Sequence, residues 1–425
     1  MVATSKARAH PIWWEFVEES LEEGSYSWRR RERALGAPDH DLRDVSRFVE
    51  ERLLGCIDGL RVSDEAVERL LAPALQSEDP CRVSVAAHAL AEGSETAWEC
   101  LMAALANGPD ENLAPLCRGI ELVWPTDFLP RLQNYLPCGQ PVLQAAVLEI
   151  CAFRRRVPGT DLKPFITGGD PGVQQAALLT ARFAPRAQAE PLIACGLALP
   201  PSAGEVAIES GLVLGLPAAR SACAEALRRL PKDCGRLLVM GALVGTREHE
   251  HRDLLKALGS EPLAPEATWA LGFAGTRDAA DACVELLSQE RLAQLAFEAF
   301  CAITGIDFKA NGLTVPVPEE NMESAVPFEQ DDLDADLVPK VEADLPWPDG
   351  AAVARWWAQN RSHFAPDTRY LLGKPSDPAV LQRVLCDGPM RRRHVMALDL
   401  AIQTRGQQQI NTRAWCREQR RSLGI

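Results

Sequence analysis

Three stretches of the 425-residue chain carry residue types that could do chemistry. His249-Glu250-His251 offers metal ligands, but residues two apart do not share a helix face, and no second cluster completes four zinc ligands. Gly168–Gly172 is glycine-rich but lacks the lysine of a phosphate-binding loop. Glu209-Ser210-Gly211 lacks the first glycine of a hydrolase nucleophile elbow. We therefore predict no enzyme, with no catalytic residue, no cofactor and no metal, and we expect His249–His251 in an exposed loop between helices.

Charged residues are concentrated in three further stretches, although the whole chain carries a net charge of −14. The run Arg29–Arg33 indicates a solvated helix face, with anion binding as the alternative. Between 319 and 344, ten acidic residues accompany one lysine, which indicates either a solvated linker or an acidic strip that shields the repeats or contacts a basic partner. From Pro389 to Ile425, eight arginines accompany two acidic residues. These arginines could pair with the acidic strip, and the overall negative charge predicts no nucleic-acid binding.

Cysteine usage and the absence of long apolar runs indicate the compartment. The 13 cysteines include no Cys-x-x-Cys pair, and most lie in Ala/Leu-rich runs, as small buried side chains do in a reducing environment. Residues 1–19 lack the sustained apolar core of a signal peptide. No apolar run approaches the roughly twenty residues of a membrane helix. We therefore expect a cytoplasmic protein without a membrane span.

Four glycines spaced thirty residues apart indicate the architecture: Gly215, Gly245, Gly275 and Gly305. Each follows a short apolar run, and glycine ends helices because it adopts the left-handed conformation without a Cβ clash. A repeated apolar helix with a repeated break is typical of helical arrays. The pattern predicts an all-α fold, specifically a HEAT-like α-solenoid of about eight helical hairpins with helical caps at both ends.

The two helices of each hairpin are predicted from apolar runs separated by proline- or glycine-containing turns. The first helices fall at 70–75, 100–106, 128–136, 162–166, 189–199, 222–230, 251–258 and 279–287. The second helices fall at 85–90, 116–123, 145–153, 176–183, 207–214, 237–244, 267–273 and 296–303. One hairpin cannot bury its apolar face alone, so neighbouring hairpins are expected to stack.

The same pattern divides the chain into four segments. Residues 1–69 form an N-terminal helical cap, 70–307 the HEAT-like repeats, 308–346 an acidic linker and 347–425 a C-terminal helical unit. Within the last segment, Asp349 and the Asp377-Pro378 pair mark helix starts, because an aspartate before a helix accepts a hydrogen bond from its first N–H groups.

Three groups of motifs are similar to a known family. They comprise Glu18–Glu23, Trp28, Arg31 and Cys56–Arg61; then Ala302–Asp307; then Leu345–Asp349, Trp356-Trp357, Arg369–Gly373 and Arg413–Trp415. Together they resemble an uncharacterised HEAT-repeat-like family encoded in type VI secretion gene neighbourhoods of Gram-negative bacteria. The resemblance spans nearly the whole chain. It implies a secretion-associated adaptor and brings no catalytic residues.

From these observations we predict that the chain is a non-enzymatic, protein-binding scaffold. We expect it to act as an adaptor or chaperone for a type VI secretion effector or spike protein. Trp356, Trp357, Arg369 and Tyr370 are the candidate protein-binding residues, since Trp, Tyr and Arg dominate interface hot spots. Packing of the C-terminal unit is the alternative role for these four side chains. Two other functions stay open: an immunity protein that neutralises a cognate toxin, and a HEAT-like enzyme of the lyase or glycosylase type.

Overall fold

A computed structural model describes residues 12–61, 63–231, 233–245, 251–317 and 345–425. Over these ranges the chain is mostly helical with almost no strand, which confirms the all-α class. None of the helices described has the length and apolar content that a bilayer crossing requires. The acidic stretch 319–344 lies outside the described residues, so its predicted role stays a prediction.

The chain forms two compact units. Of the residues described, unit 1 contains those up to Ala34, those from Arg43 to Pro158, and the short segment Ala414–Arg417. Unit 2 contains Leu35–Leu42, the rest of the chain from Gly159 to Arg413, and Glu418–Ile425. The four predicted segments are continuous ranges of sequence, whereas each of these units combines separate stretches of the chain. The boundaries of the four segments stay a prediction.

Nine α-helices are described before Pro158. They are α1 (Trp14–Ala34), α2 (Leu42–Val45), α3 (Glu51–Leu60), α4 (Ala72–Ala74), α5 (Pro80–Ala91), α6 (Glu95–Asn107), α7 (Asp110–Glu121), α8 (Leu129–Gln133) and α9 (Pro141–Phe153). Two π-helical turns, Ser46–Glu50 and Val67–Leu71, and one 3₁₀ turn, Leu136–Cys138, lie between them. α5 packs against both α1 and α7. Gly119 permits the close approach of α5 and α7, because a Cβ there would collide with the Ser84 carbonyl oxygen.

Fourteen α-helices are described after Pro158. They are α10 (Lys163–Thr167), α11 (Pro171–Ala181), α12 (Arg186–Gly196), α13 (Pro201–Val213), α14 (Pro217–Arg229), α15 (Gly235–Val244), α16 (Arg252–Ala257), α17 (Ala264–Ala274), α18 (Arg277–Leu286), α19 (Glu290–Thr304), α20 (Gly350–Asn360), α21 (Pro378–Asp387), α22 (Met390–Gln403) and α23 (Cys416–Leu423). A 3₁₀ turn covers Arg361–His363. β1 (Tyr370–Leu371) and β2 (Lys374–Pro375) pair antiparallel, with Tyr370 opposite Pro375.

Each predicted second helix overlaps one observed helix: α5, α7, α9, α11, α13, α15, α17 or α19. In unit 2, α15 packs against α17 and α17 against α19. Asp349 and Asp377 cap α20 and α21 through hydrogen bonds from the amides of Ala352 and Val380, as predicted. The assembly of all eight hairpins into one solenoid stays a prediction.

Three of the four periodic glycines end helices in the predicted way. Gly215, Gly275 and Gly305 have φ values of +71°, +65° and +67°. Gly245 also ends its helix, α15, but the predicted left-handed conformation is wrong there, because its backbone is extended with φ −67°. Its absent side chain instead makes room for His251, whose Nε2 would lie 2.5 Å from a Cβ at that position. The expectation of an exposed loop is also wrong for His251, because this side chain is buried, while His249 and Glu250 lie outside the described residues.

The β1–β2 hairpin docks on the glycine-terminated ends of α17 and α19. The amide of Tyr370 donates to the Gly275 carbonyl at 2.7 Å, and the amide of Leu372 donates to the Ala302 carbonyl at 2.8 Å. A Cβ at Gly275 would lie 2.5 Å from the Tyr370 carbonyl oxygen, and one at Gly305 would collide with the Leu372 backbone. The last carbonyls of a helix have no intrahelical partner, so the hairpin satisfies them. The glycine period thus serves helix termination and the approach of this hairpin together.

Candidate functional site

Arg369, one of the four candidate binding residues, joins three elements of unit 2. Its guanidinium donates to the Leu243 carbonyl at 2.9 Å and the Phe273 carbonyl at 3.0 Å, near the ends of α15 and α17. It also pairs with Asp399 on α22 at 2.9 Å. Both side chains are largely buried. A cation near the carbonyl end of a helix is favourable, so Arg369 stabilises these helix ends within the chain.

Tyr370 is half-buried beside Arg369, and its phenol also has a partner within the chain. The hydroxyl oxygen accepts a hydrogen bond from the Ala365 amide at 2.9 Å. The ring meets that of Phe364 edge-on at 4.9 Å. Only part of the ring is therefore available to another molecule.

Trp356 and Trp357 pack on the repeat helices through α20. The Trp357 indole N–H donates to Asp281 at 2.7 Å, and Arg361 donates to the same carboxylate at 2.6 and 2.8 Å. Burial alone would raise the pKa of Asp281, but the hydrogen bonds from Arg361 and Trp357 outweigh it and hold that pKa below its usual value. Trp357 is buried, whereas Trp356 is half-buried with its ring edge-on to Phe300. Protein binding by the four candidate residues stays a prediction, and Trp356 and Tyr370 keep the most accessible rings.

The arginines at the start of α22 lie inside unit 2, although the sequence suggested a surface available to the acidic strip. Arg392 is 2% exposed, with its guanidinium 4.6 Å from the Trp269 ring centroid and 4.1 Å from that of Phe273. The Glu298 carboxylate lies 3.3 Å from Nε of Arg391 and 3.7 Å from Nη1 of Arg392. Burial outweighs the nearby carboxylate and lowers the pKa of Arg392. Aromatic faces therefore replace solvent around this charge.

Three thiols of the repeat helices, Cys151, Cys223 and Cys301, are poor nucleophiles. Burial raises the pKa of Cys151 to about 11 and those of Cys223 and Cys301 to about 12, so these thiols stay protonated at neutral pH. In the described part of the chain, no group of three or more His, Cys, Asp or Glu side chains is arranged to hold a metal ion.

Two neighbouring cavities in unit 1, which share part of their lining and which we together call the unit 1 groove, were not predicted from the sequence. Its aromatic lobe is a cavity of about 390 Å³ lined by Trp98, Trp124, Phe128 and Arg131, among others. Trp124 is 42% exposed, whereas Trp98 is buried with the Arg131 guanidinium 4.7 Å from its ring centroid. Ser94 caps α6 through the Ala97 amide and so fixes the turn that carries Trp98.

The aliphatic lobe of the groove is a neighbouring cavity of about 300 Å³. Leu60, Val67, Leu71, Ala89, Leu90 and Ala97 supply its apolar lining. The two lobes share Arg61, Glu92 and Gly93, and an ion pair of 2.6 Å joins Arg61 to Glu92. The Ser63 hydroxyl on this side is buried and has no hydrogen-bond partner among the residues described. Asp64 and Ser94 also line this lobe, so it combines apolar walls with charged and hydroxyl groups.

The groove residues come from separate segments, which explains why sequence patterns missed them. Arg61 follows α3, Trp98 lies on α6, and Trp124 follows α7. All three fall outside the predicted repeat helices, and no spacing rule links them. The one available signal was an isolated tryptophan before a proline at Trp124-Pro125.

Comparisons with known proteins give no family. No protein-family model matches the chain, and no curated protein matches it. Solved structures do match, among them the crystal structure of an engineered protein at 16% identity and a TM-score of 0.30, covering 70% of this chain and 90% of that one. That likeness is too weak to support a conclusion.

Proposed function

We propose that this chain is a non-enzymatic protein-binding scaffold, and that the unit 1 groove takes an extended polypeptide segment with two apolar anchors. The groove's two lobes support this most directly, since each can accept one side chain. The exposed Trp124 ring at the aromatic lobe adds an anchor of the type that dominates binding energies. The Arg61–Glu92 pair between the lobes can hydrogen bond to a backbone that crosses it.

We further propose that the helical hairpins stack into a HEAT-like solenoid in the cytoplasm, and that the partner is a type VI secretion effector or spike protein. The repeated helices support the first part, because stacked hairpins present long binding surfaces. The sequence resemblance supports the second part. On this proposal the chain acts as an adaptor or chaperone that holds the effector before delivery.

Deletion and complementation in the producing bacterium test the role. Deletion should abolish delivery of the neighbouring effector to rival cells while leaving the producing cell healthy. Complementation with Trp124→Ala should restore delivery poorly, whereas Trp13→Ala, which alters an exposed tryptophan outside the groove, should restore it fully. Self-poisoning after deletion, with delivery intact, contradicts the adaptor role and indicates an immunity protein.

A further inference from the structure

The short segment Ala414–Arg417 is part of unit 1, although the preceding residue of that unit in the chain is Pro158. Ala414 is 3% exposed, and Trp415 and Cys416 are fully buried. Ala414 and Trp415 lie outside any helix, and α23 begins at Cys416. A remote, irregular segment is therefore enclosed by helices that precede it by more than two hundred and fifty positions.

A buried ion pair holds the backbone on both sides of Trp415. The Arg31 guanidinium donates to the Ala414 carbonyl at 3.0 Å, and the Glu50 carboxylate accepts from the Cys416 amide at 2.8 Å. Arg31 and Glu50 are joined to each other at 2.9 Å, with side-chain exposures of 0% and 5%. Arg31 as donor and Glu50 as acceptor thus hydrogen bond to the main chain before and after the tryptophan. Peptide-binding proteins bind the backbone of an extended ligand in the same way. These contacts do not depend on the identity of Ala414 or Cys416.

The side-chain pocket matches an indole. The Trp415 N–H donates to the Leu122 carbonyl at 2.6 Å, which a phenylalanine could not do. The rings of Trp28 and His88 meet the indole edge-on at 6.5 and 5.7 Å, and Arg31 lies 4.8 Å from its centroid. We call Trp28, Arg31, Glu50, His88 and the Leu122 carbonyl the indole site.

The charged side chains of the indole site are compensated by neighbours in unit 1. Burial opposes the charge on Arg31, but the Glu50 and Glu32 carboxylates outweigh it and leave the pKa of Arg31 above its usual value. His88 is held by the Gly119 carbonyl at 2.9 Å. These contacts hold Arg31, Glu50 and His88 in place around the segment.

We infer that the indole site is a peptide-recognition site for a tryptophan-bearing extended segment, and that the chain's own Ala414–Cys416 fills it as an exchangeable ligand. The occupant is defined by chemistry: an indole flanked by a free carbonyl and a free amide. The same segment of a second copy meets these requirements, and so does a synthetic peptide of residues 409–420. This inference is independent of the unit 1 groove.

The full-length chain carrying Trp415→Ala tests the inference. Its own segment can no longer fill the indole pocket, so the labelled 409–420 peptide should bind it at least tenfold more tightly than it binds the wild-type chain, and should raise its melting temperature. The same peptide with Trp415→Ala should do neither. A folded Trp415→Ala chain that does not bind the peptide, or equal binding to both chains, would overturn the inference.

A second measurement covers the case in which Trp415→Ala does not fold. A protease site inserted after the exposed Gln407 leaves every residue of the wild-type chain in place. After cleavage, the 408–425 fragment should co-elute with the rest of the chain and be replaced by excess labelled 409–420 peptide within hours. Loss of the fragment without rebinding of the peptide, or no exchange over a day, would show that the segment is a fixed part of the core.

Discussion

At the residue scale, His88 is a buried histidine with a strongly lowered pKa. Burial lowers its pKa from 6.5 to about 4, and the positive charges of Arg154, Arg61 and Arg31 act in the same direction. Glu92 lies 4.0 Å from Nε2, but this carboxylate is already paired with Arg61 and does not keep the imidazole charged. His88 is therefore neutral at physiological pH, and its Nδ1–H donates to the Gly119 carbonyl.

The lowered pKa of His88 predicts acid sensitivity. As pH falls from 6.5 to about 4, His88 becomes protonated in the unfolded chain but stays neutral in the folded chain. Protonation of the unfolded chain therefore lowers the free energy of unfolding as the pH falls. The full stability is present above pH 6.5, and up to about 3 kcal/mol of it is lost between pH 6.5 and 4. Chemical denaturation between pH 4.5 and 7.5 should show this loss in the wild type and a shallower one in His88→Asn, whose amide can donate to the same carbonyl. Parallel pH profiles for the two chains would contradict the prediction.

Glu50 offers a second prediction at this scale. Glu50→Gln leaves the buried Arg31 without its closest counter-charge, which should lower the apparent free energy of unfolding by about 3 kcal/mol. Glu190→Gln is the control, since its pair with Arg186 is exposed on both sides and should contribute less than about 0.5 kcal/mol. Denaturant titration at neutral pH compares them. Equal losses in the two variants would show that the Arg31–Glu50 pair has no special role.

Sequence reasoning was wrong about Arg31 for a physical reason. The run Arg29–Arg33 was predicted to form a solvated helix face, yet Arg31 is fully buried. Its burial depends on Glu50 and on Ala414, which lies 383 positions away. Local periodicity describes which face a residue occupies but not which distant segment covers that face. The same limitation hid the burial of Arg392 and Arg393.

At the element scale, helix ends were predictable because their causes are local. A proline restricts the residue before it, and a glycine permits the left-handed turn, so the apolar runs between them identified the helices. The docking of β1–β2 on α17 and α19 was not predictable, since it depends on backbone groups that are distant in sequence. Gly245 shows the difference, because its glycine is explained by His251 and not by its own φ.

Substitution of one periodic glycine, Gly305, and of Gly312, which lies outside the period, separates these two causes. Gly312→Ala should lower the apparent free energy of unfolding by about 1 kcal/mol, because its φ is +60° but nothing lies within 4 Å of the added Cβ. Gly305→Ala adds a collision with the Leu372 backbone to the same left-handed cost, so about 2 to 4 kcal/mol is expected. Thermal and denaturant unfolding measure both. A loss at Gly305 no larger than at Gly312 would mean that the hairpin does not press on α19.

At the scale of the whole molecule, the all-α class followed from composition and period, whereas the groove did not. Its lobes combine side chains of α5 and α6 with residues that follow α3 and α7, and each contributor looks ordinary in its own segment. Trp356, Trp357, Arg369 and Tyr370 were recognisable as unusual residues. The side-chain polar groups of Trp357, Arg369 and Tyr370 are bonded within unit 2, and the Trp356 ring packs edge-on to Phe300. The groove therefore offers a more accessible anchor in Trp124 than these four residues do.

The central claim is that the chain binds a protein through the unit 1 groove. The most direct test is a calorimetric titration of the full-length chain with the gene products proposed as its partners, a type VI secretion effector and a spike protein, using wild type, Trp124→Ala and Trp13→Ala. The account predicts a saturable complex, at least tenfold weaker affinity for Trp124→Ala, and wild-type affinity for Trp13→Ala. No complex with either gene product, or equal affinity for wild type and Trp124→Ala, would contradict it.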